Sequence, residues 1–295
     1  MKQILPGPDY PAPAKLNLFL HVVGRRPDGY HLLQTVFRFI SHGDVLRFRL
    51  RNDGVIARVN DLEGVSAESD LCARAARLLQ QTTGSECGAD IELEKKLPLG
   101  GGLGGGSSDA ATVLIILNKL WGCGLARAEL QALALQLGAD VPVFIFGRNA
   151  FAEGVGERLH ALALPPAWYV VLQPPVMVST PVVFAAPELT RNTKPIKILD
   201  FSASERAFAF AKGFHNDLQP VVSVHYPEVA LHLAWLDGQA KELGSDARMS
   251  GSGACVFAEF ARRDDAEKVF ARRPAGMHGF VAQGLMQHPL YEFID

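Results

Sequence analysis

The amino-acid sequence predicts an α+β protein, because strand and helix patterns are mixed along the chain without the regular alternation of a parallel α/β fold. Short apolar runs typical of buried strands occur in both halves, as in LNLFLHVV at 16–23 and WYVVL at 168–172. Apolar residues at helical spacing recur between such runs. The segment 98–108 contains six glycines and is followed by two consecutive helix patterns, so this unit is β-α-α rather than β-α-β.

Length and composition bound the class of protein. The chain has 295 residues, and at roughly 100–200 residues per domain this length predicts two domains. A proline-rich stretch at 162–175 indicates a boundary near residue 160, which gives domains at 1–160 and 161–295. A hydrophobic content of 48% and a net charge of −2 exclude a disordered chain and argue against a nucleic-acid partner.

The sequence further predicts a cytoplasmic protein with no membrane partner. It has no run of ~18 apolar residues, the length that would cross a bilayer, and its first residues lack the apolar stretch of a secretory signal. Its cysteines, at positions 72, 87, 123 and 255, lack the spacing of a zinc site, which favours reduced thiols.

The elements follow from periodicity and from start and stop signals. Ser69 or Asp70 is suited to cap a helix, alternation of Ile91 and Leu93 with glutamates is typical of a half-exposed strand, and Gly138 is suited to end a helix. The predicted elements are strands at 16–23, 36–40, 45–50 and 90–97, helices at 69–81, 108–121 and 126–137, a strand at 168–172, helices at 203–212 and 227–243, a strand at 254–260, a helix at 264–272 and a strand at 279–283.

The glycine-rich segment PLGGGLGGGSS predicts an anion site. Glycine costs about 1 kcal/mol in a helix and packs nothing, so a packing role does not explain the run. Placed before a helix, it supplies bare amide N–H groups where the helix dipole favours negative charge. The string contains GxGxxG, but a second helix follows where a dinucleotide fold needs a strand, and GxxxxGK[ST] is absent from the chain. A phosphate site of a third kind is therefore predicted, with the alternative of a flexible linker.

The segment PLGGGLGGGSSDAA resembles the second motif of the GHMP kinases, the superfamily of galactokinase, homoserine kinase and mevalonate kinase. PAPAKLNLFLHVVGRRPDGYH near the amino end and MSGSGACVFAEF at 249–260 are similar to the two other motifs of that superfamily, in order and spacing. The strings AKLNLFL, RPDGYH, LGADVPVF, FAEGVGE and STPVVF resemble one branch that acts on a cytidine diphosphate-linked methylerythritol. The fold implied has a ribosomal protein S5 domain 2-like amino-terminal domain, a ferredoxin-like carboxyl-terminal domain and an active site in the interdomain cleft.

The resemblance implies ATP-dependent phosphorylation of the 2-hydroxyl of that acceptor, in the non-mevalonate route to isoprenoid precursors. Mg²⁺ would bridge the β and γ phosphates, with Ser107 or Ser108 as a candidate contact and the direct metal ligands left open. Small molecules are the expected partners, and the expected assembly is a monomer or weak homodimer. The alternatives are another GHMP kinase, of the homoserine or mevalonate type, and a non-catalytic nucleotide-binding protein of the same fold. The residues implied for ATP are Pro98, Leu99, Gly100, Gly101, Gly102, Leu103, Gly104, Gly105, Gly106, Ser107 and Ser108.

The catalytic residues implied by the resemblance are Asp140 and Lys15. Asp140 is the implied base, although from sequence alone an aspartate before Pro142 is suited to cap a short helix. Lys15 would keep that carboxylate ionised and stabilise developing charge, and its simpler alternative is a strand-edge lysine. Asn17 lies on the same strand face and would hold substrate or Lys15.

The implied substrate-binding residues are distributed over three segments. Tyr30 and His31 would bind the cytosine, with Phe184 as the second face of the aromatic sandwich. The alternatives are that Tyr30 and His31 are ordinary residues of a hairpin and that Phe184 is a core residue. Thr180 would bond phosphate or Asp140, or form a turn before Pro181. Gly251 and Ser252 would close against the phosphates, although a turn with positive φ equally explains the glycine. The roles of two acidic residues are left open. Asp109 would either help to hold magnesium or point away from the nucleotide, and Glu153 would contact residues that themselves bind the ligand.

Overall fold

Two long antiparallel strands, β1 (Tyr10–Arg25) and β2 (His31–Arg51), organise the first of two sheets. The computed structural model describes residues 7–60, 66, 69–197 and 214–294. β1 is almost entirely buried from Ala12 to Val22, in agreement with its apolar composition. It extends beyond the predicted 16–23 because its first residues pair with the second half of β2.

The prediction of two strands at 36–40 and 45–50 is wrong, because both lie in the single strand β2. The intervening Ser41–Asp44 segment forms an irregularity in the pairing, where Ala14 pairs with Ile40 and Pro13 with Gly43. A Cβ at Gly43 would lie 2.3 Å from the carbonyl oxygen of Ala12, so only glycine permits this approach of the strands. The turn-like composition therefore marks a bulge and not a chain reversal.

The first sheet has the order β3-β4-β2-β5-β6, with β1 paired to β2, and is antiparallel apart from the parallel β3–β4 pair. Its helices pack on it through a core of alanine, leucine, isoleucine and phenylalanine side chains. The bounds are β3 Ile56–Arg58, α1 Leu71–Thr83, β4 Gly88–Glu94, α2 Gly105–Leu120, α3 Arg127–Leu137, α4 Val141–Phe146, β5 Ala150–Glu153 and β6 Arg158–Ala161.

The ends of these elements have local causes. Asp70 caps α1, since its Oδ1 accepts from the amide of Cys72 at 2.9 Å. β4 ends at Glu94, before the predicted limit of 97, because the amides of Lys96 and Leu97 donate to Asp44 Oδ1 at 2.6 and 2.8 Å. These amides are thereby taken out of the strand ladder.

Helix α2 starts three residues earlier than predicted. It begins at Gly105, directly after Gly104 in the left-handed region with φ +71°. The last four residues of the predicted loop, Gly105–Ser108, therefore form the first turn of the helix. α3 begins at Arg127 and is followed by Gly138, as predicted.

The second sheet has the antiparallel order β10-β7-β9-β8. Three of its strands and two helices lie within two residues of their predicted bounds: β7, β9, β10, α7 and α8. The elements α5, α6 and β8 have no counterpart in the prediction. The helix predicted at 203–212 lies outside the described residues. The bounds are β7 Trp168–Gln173, α5 Thr180–Ala185, α6 Gln219–His225, α7 Pro227–Lys241, β8 Ala247–Met249, β9 Val256–Phe260, α8 Arg263–Ala271 and β10 His278–Gln283.

A shared apolar cluster joins the two sheets. Leu16 and Ile40 of the first sheet belong to the same buried cluster as Val171, Phe257 and Ala282 of the second. After β10 the chain returns to the first sheet and ends in a 3₁₀ turn at Tyr291–Phe293. The middle of β1 lies beside the glycine-rich segment and the turn before β9, because the amide of Lys15 donates to the carbonyl of Leu103 and that of Asn17 donates to Ser250 Oγ.

Candidate active site

A cleft of about 920 Å³ collects nearly every residue singled out from the sequence. The exceptions are Ser108, Asp109 and Glu153, which are not among the lining residues, and Ser108 is fully buried. The sequence-predicted residues that line the cleft are Lys15, Asn17, Tyr30, His31, Pro98, Leu99, Gly100, Gly101, Gly102, Leu103, Gly104, Gly105, Gly106, Ser107, Asp140, Thr180, Phe184, Gly251 and Ser252.

Lys15 is the best-connected cation of this cleft. It lies on β1 with its side chain only 3% exposed, and its Nζ is 3.1 Å from Asp140 Oδ2. The same ammonium donates to Asn17 Oδ1 at 2.5 Å and to the carbonyl of Gly102 at 3.3 Å. Asn17 is held in turn by Thr35, whose Oγ1 accepts from Asn17 Nδ2 at 2.9 Å. Of the two roles considered for Asn17, this geometry provides the contact with Lys15.

Asp140 occupies the position before α4, yet its side chain does not cap that helix. Its backbone has helical dihedrals, φ −86° and ψ −12°, which differ from the extended conformation typical of a capping residue. The carboxylate instead turns toward Lys15 and remains 38% exposed. It therefore combines an ionic partner with access to the cleft, which is what proton transfer to or from a bound ligand requires.

The glycine-rich segment takes a conformation that glycine alone adopts readily. Gly100, Gly102 and Gly104 all have positive φ, between +66° and +74°. Left-handed residues at alternate positions turn successive amides toward one side and build an anion-binding concavity. The N-terminus of the 16-residue helix α2 follows at once, and its dipole adds a positive potential at the same place.

The turn before β9 packs directly on this segment. The Ser250 hydroxyl donates to the carbonyl of Gly102 at 2.9 Å and accepts from the amide of Asn17 at 3.1 Å. Gly251 has φ +57°, as the turn interpretation of that glycine predicts. Ser252 Oγ lies 2.6 Å from Thr180 Oγ1 at the start of α5, so hydroxyl groups from two segments meet at the cleft wall.

Two aromatic side chains stack at the opposite end of the cleft. The ring centroids of His31 and Phe184 are 4.9 Å apart, with an interplanar angle of 28°. A base inserted between two rings needs a separation of ~7 Å, two van der Waals layers, so a ligand base does not fit between these two as they stand. Tyr30 is 64% exposed beside them, which leaves its ring free to cover a ligand. Burial and the nearby Arg191 and Arg25 lower the pKa of His31.

A buried ionic network lies beneath the start of α2. Lys95 Nζ is 2.5 Å from Asp44 Oδ2 and 2.8 Å from Asp109 Oδ2. A Cβ at Gly105 would lie 3.0 Å from the same ammonium, which places the charge directly under the helix N-terminus. Burial, with Lys95 opposing it and Asp44 adding to it, raises the pKa of Asp109 to about 7. Of the two roles considered for Asp109, the geometry gives the one in which it points away from the cleft.

Several residues of this site were missed in the sequence. Leu71, Val155 and Gly156 line the cleft, and Ser250 and Lys95 support its glycine-rich wall. Ser250 was visible as the first serine of the MSGSG motif, whereas nothing in the local pattern around Lys95 distinguishes it from a surface lysine. Glu153 accepts from Gln34 Nε2 at 3.0 Å and is not among the residues that line the cleft.

Family models match both halves of the chain. The model described as the GHMP kinases N terminal domain matches residues 70–148, and the one described as the GHMP kinases C terminal matches residues 203–278. The chain therefore belongs to the GHMP kinases. It is a small-molecule kinase, and the family implies ATP as its co-substrate.

Within the family, the relatives at high identity carry one name. A protein of Aromatoleum aromaticum is 61% identical over 282 residues, covering 96% of this chain and 95% of its own, and is named 4-diphosphocytidyl-2-C-methyl-D-erythritol kinase. A protein of Thiobacillus denitrificans with the same name is 61% identical over 285 residues, covering 97% and 98% of the two chains.

Solved structures agree with this fold. A crystal structure of 4-(cytidine 5'-diphospho)-2C-methyl-D-erythritol kinase is 36% identical with a TM-score of 0.79, covering 94% of this chain and 98% of its own. A homoserine kinase of Cytophaga hutchinsonii, 18% identical with a TM-score of 0.63 over 95% and 94% of the two chains, shares the fold. No helix among the described residues has the length and apolar character to cross a membrane.

Proposed function

We propose that this chain transfers the γ-phosphate of ATP to the 2-hydroxyl of 4-diphosphocytidyl-2-C-methyl-D-erythritol, giving the 2-phosphate and ADP. The reaction belongs to the methylerythritol phosphate route to isoprenoid precursors. The observation that carries the proposal is that one cleft holds the glycine-rich segment, the Lys15–Asp140 ion pair and the His31–Phe184 ring pair. The name shared by relatives at 61% identity supports the choice of acceptor.

The nucleotide phosphates lie against Gly100–Ser107 in this proposal. The positive-φ glycines and the N-terminus of α2 supply N–H donors and a favourable dipole without a bulky side chain in the way. This half of the cleft therefore fits the triphosphate of ATP.

The residues present fit a magnesium ion that is bound mainly by phosphate. The described residues contain no group of three or more acidic, histidine or cysteine side chains arranged for a metal, and Mg²⁺ commonly binds substrate phosphates and water rather than a protein cage. Ser107, which lines the cleft, is the residue that would contact it, whereas Asp109 is buried with Lys95. When bound, the ion neutralises charge that develops on the β and γ phosphates.

Asp140 acts as the general base in the transfer. Its exposed carboxylate takes the proton of the acceptor hydroxyl while that oxygen bonds to the γ-phosphorus, and the bond from this phosphorus to the β–γ bridging oxygen breaks to release ADP. Lys15 Nζ, held 3.1 Å from Asp140 Oδ2, pairs with this carboxylate and stabilises negative charge on the attacking oxygen. Thr180 and Ser252 lie at the cleft wall, where their hydroxyls are suited to bond substrate phosphate.

The cytidine end of the acceptor lies at the aromatic end of the cleft. Tyr30 covers the base, and the stacked His31 and Phe184 form the other wall. Gripping the acceptor at both ends places its hydroxyl for in-line attack, and positioning is the largest part of catalysis in phosphoryl transfer.

The test is ADP release coupled to NADH oxidation, with ATP, Mg²⁺ and one of three acceptors: the cytidyl substrate, homoserine or mevalonate. Fast turnover with the cytidyl substrate alone is the expected result. Turnover with another acceptor would keep the kinase and overturn the cytidine pocket. Absence of turnover with all three, in folded protein that binds ATP, would favour a non-catalytic nucleotide-binding protein.

A further inference from the structure

The guanidinium of Arg191, in the segment after α5, holds together the two rings at the aromatic end of the cleft. Its Nε donates to His31 Nε2 at 3.2 Å, and its Nη2 donates to the carbonyl of Phe184 at 3.0 Å. Further bonds reach the carbonyls of Ala186 at 2.6 Å and Leu189 at 3.0 Å. One side chain thus fixes the end of α5 relative to the residue that begins β2.

The bond to His31 determines where the imidazole carries its hydrogen. Arginine is always protonated and offers donors only, so His31 Nε2 must present its lone pair and the ring hydrogen must lie on Nδ1. The charged groups around the ring are Arg191 and Arg25, with an ion pair of Arg26 and Asp28 in the adjacent turn. Both cations and burial lower the pKa of His31, so the neutral form is maintained.

We propose that Arg191 is a positioning residue for the pyrimidine pocket, because it fixes His31 as a neutral ring whose Nδ1–H is a hydrogen-bond donor while the ring stays stacked on Phe184. Cytosine presents acceptors at N3 and O2, and a fixed donor matches them. This inference rests on the proposed function, since it assumes that the nucleoside end of the acceptor lies at His31.

The tautomer of His31 is measurable in the wild-type protein. Long-range ¹H–¹⁵N correlation spectra of histidine-labelled protein distinguish the two neutral tautomers and the protonated ring. The expected result is a neutral His31 with hydrogen on Nδ1 at pH 8 and at pH 7. A ring with hydrogen on Nε2 in the wild-type protein would overturn the inference without any variant.

The kinetic test uses Arg191→Gln and Arg191→Lys, with Arg273→Gln as the matched control. Arg273 is also half-buried and donates to two backbone carbonyls, of Phe270 and Met277, but neither of these partners lines the cleft, whereas His31 and Phe184 do. We expect Arg191→Gln to raise KM for the cytidyl substrate about tenfold at pH 8, the loss expected for one hydrogen bond between neutral groups, with kcat and KM for ATP nearly unchanged. Arg191→Lys keeps the charge, and its KM for the cytidyl substrate is expected to lie between those of the wild-type protein and Arg191→Gln.

The pH dependence separates the tautomer role from simple support of the fold. Without Arg191 the neutral ring is free to place its hydrogen on Nε2, which turns an acceptor toward the base. Protonation of the ring restores the Nδ1 donor, so KM of Arg191→Gln should fall toward the wild-type value between pH 8 and pH 5.5. A KM raised equally at both pH values, or one equal to that of Arg273→Gln, would overturn the inference.

His31→Ala distinguishes the two levels of the argument. We expect it to raise KM for the cytidyl substrate more than KM for ATP. Suppose that the wild-type protein turns over the cytidyl substrate but His31→Ala leaves that KM unchanged. This result would contradict both the cytosine pocket and the role of Arg191, and would leave the kinase activity supported. Absence of turnover in the wild-type protein would be a failure of the proposed function itself, and the tautomer measurement would stand apart from it.

Discussion

Every hydrogen of the Lys15 ammonium has an oxygen within reach, from Asn17, Gly102 and Asp140. A buried lysine is stable only when its charge is paired and its donors are satisfied, and this set meets both needs. Asp140 is the exposed member of the set, so it is the partner that an incoming hydroxyl reaches. In the proposed mechanism, Lys15 therefore supplies the fixed charge and Asp140 transfers the proton.

Asp140→Asn should fold normally and lose at least ~10²-fold in kcat, the usual scale for loss of a general base. Folding is expected to survive because the side chain is 38% exposed and makes no cap bond. The measurement is steady-state ADP release. Asp264→Asn, which changes an exposed carboxylate in the first turn of α8, is the control and should leave kcat unchanged. Near-normal turnover in Asp140→Asn would remove the base from the mechanism.

Asp109 gives the protein a pH dependence of stability. The pKa of its carboxyl is about 7 in the folded protein and about 3.9 in an unfolded chain. Between these values the folded protein keeps a proton that the unfolded chain has released, so this group's contribution to stability declines as pH rises from about 4 to 7. Asp109→Asn keeps an acceptor for Lys95 and should flatten that part of the profile.

Urea unfolding at pH 5, 6, 7 and 8 measures this effect. Asp53→Asn is the matched control, because the pKa of exposed Asp53 is lowered to about 2 by Arg51 and lies outside the range tested. Its profile should follow that of the wild-type protein. Equal slopes for Asp109→Asn and wild type would show that Asp109 is ionised throughout.

At the scale of elements, the glycine-rich segment is shaped by what packs against it as much as by its own flexibility. A Cβ at Gly102 would lie 2.1 Å from the carbonyl oxygen of Ser250, and one at Gly104 would lie 3.0 Å from Lys15 and Phe144. The segment is thus held between β1, α4 and the turn before β9. A linker would show no such contacts, and the prediction of an anion-binding loop fits this setting better.

Gly102→Ala should disrupt the segment, and Gly124→Ala is its matched control. Both glycines have positive φ, +74° and +71°, so each alanine substitution should lower the free energy of unfolding by roughly 1–2 kcal/mol, because alanine disfavours the left-handed conformation. Only the Cβ at position 102 also meets backbone, since Gly124 has open space within 4 Å. We expect a markedly higher KM for ATP and a lower Tm for Gly102→Ala, and a small loss of Tm alone for Gly124→Ala. Equal behaviour of the two variants would contradict the packing argument.

At the scale of the whole molecule, the carboxyl-terminal segment closes the structure. After β10 the amide of Leu285 donates to the carbonyl of Phe39 on β2, and Asn149 Nδ2 donates to the carbonyl of Leu285, both at 2.8 Å. Leu290 then packs into the core of the first sheet, only 2% exposed. The residues after β10 therefore stabilise the sheet formed by the first strands of the chain.

Leu290→Ala should destabilise the protein by about 2–4 kcal/mol, because it leaves a cavity in the first core. Since the sheets share an apolar cluster, the loss should appear as one cooperative transition in urea, followed by far-UV circular dichroism. Met286→Ala changes a 59% exposed side chain of the same segment and should have little effect. Early unfolding of one half, with the other unchanged, would argue against this coupling.

Local signals predicted much of this fold. Helix α1 begins directly after its cap, Asp70, and α3 ends directly before Gly138. Both ends could be predicted because capping depends on adjacent residues alone. The split of β2 was predicted wrongly because Gly43 marks a close approach to Ala12, a contact across strands that local composition does not reveal. The start of α2 was misplaced because glycine carries little signal for a helix.

The candidate site was predicted to a similar extent. The motif resemblance brought Lys15, Asp140 and the glycine-rich segment to one place, and the structure puts them in one cleft. Arg191 and Lys95 were missed because each acts through a partner distant in the chain, His31 and Asp109. A lone arginine or lysine carries no pattern that distinguishes such a role from that of a surface charge.

By itself, the sequence determined the α+β class, most helix and strand positions and the run of glycines suited to an anion, because these follow from periodicity, caps and the steric freedom of single residues. The tertiary structure alone decided that Asp140 does not cap α4, that Asp109 turns toward Lys95, and that Arg191 donates to His31. Each of these depends on which side chains meet across distant segments, where burial makes an unpaired charge costly and the pairing of strands selects the partner.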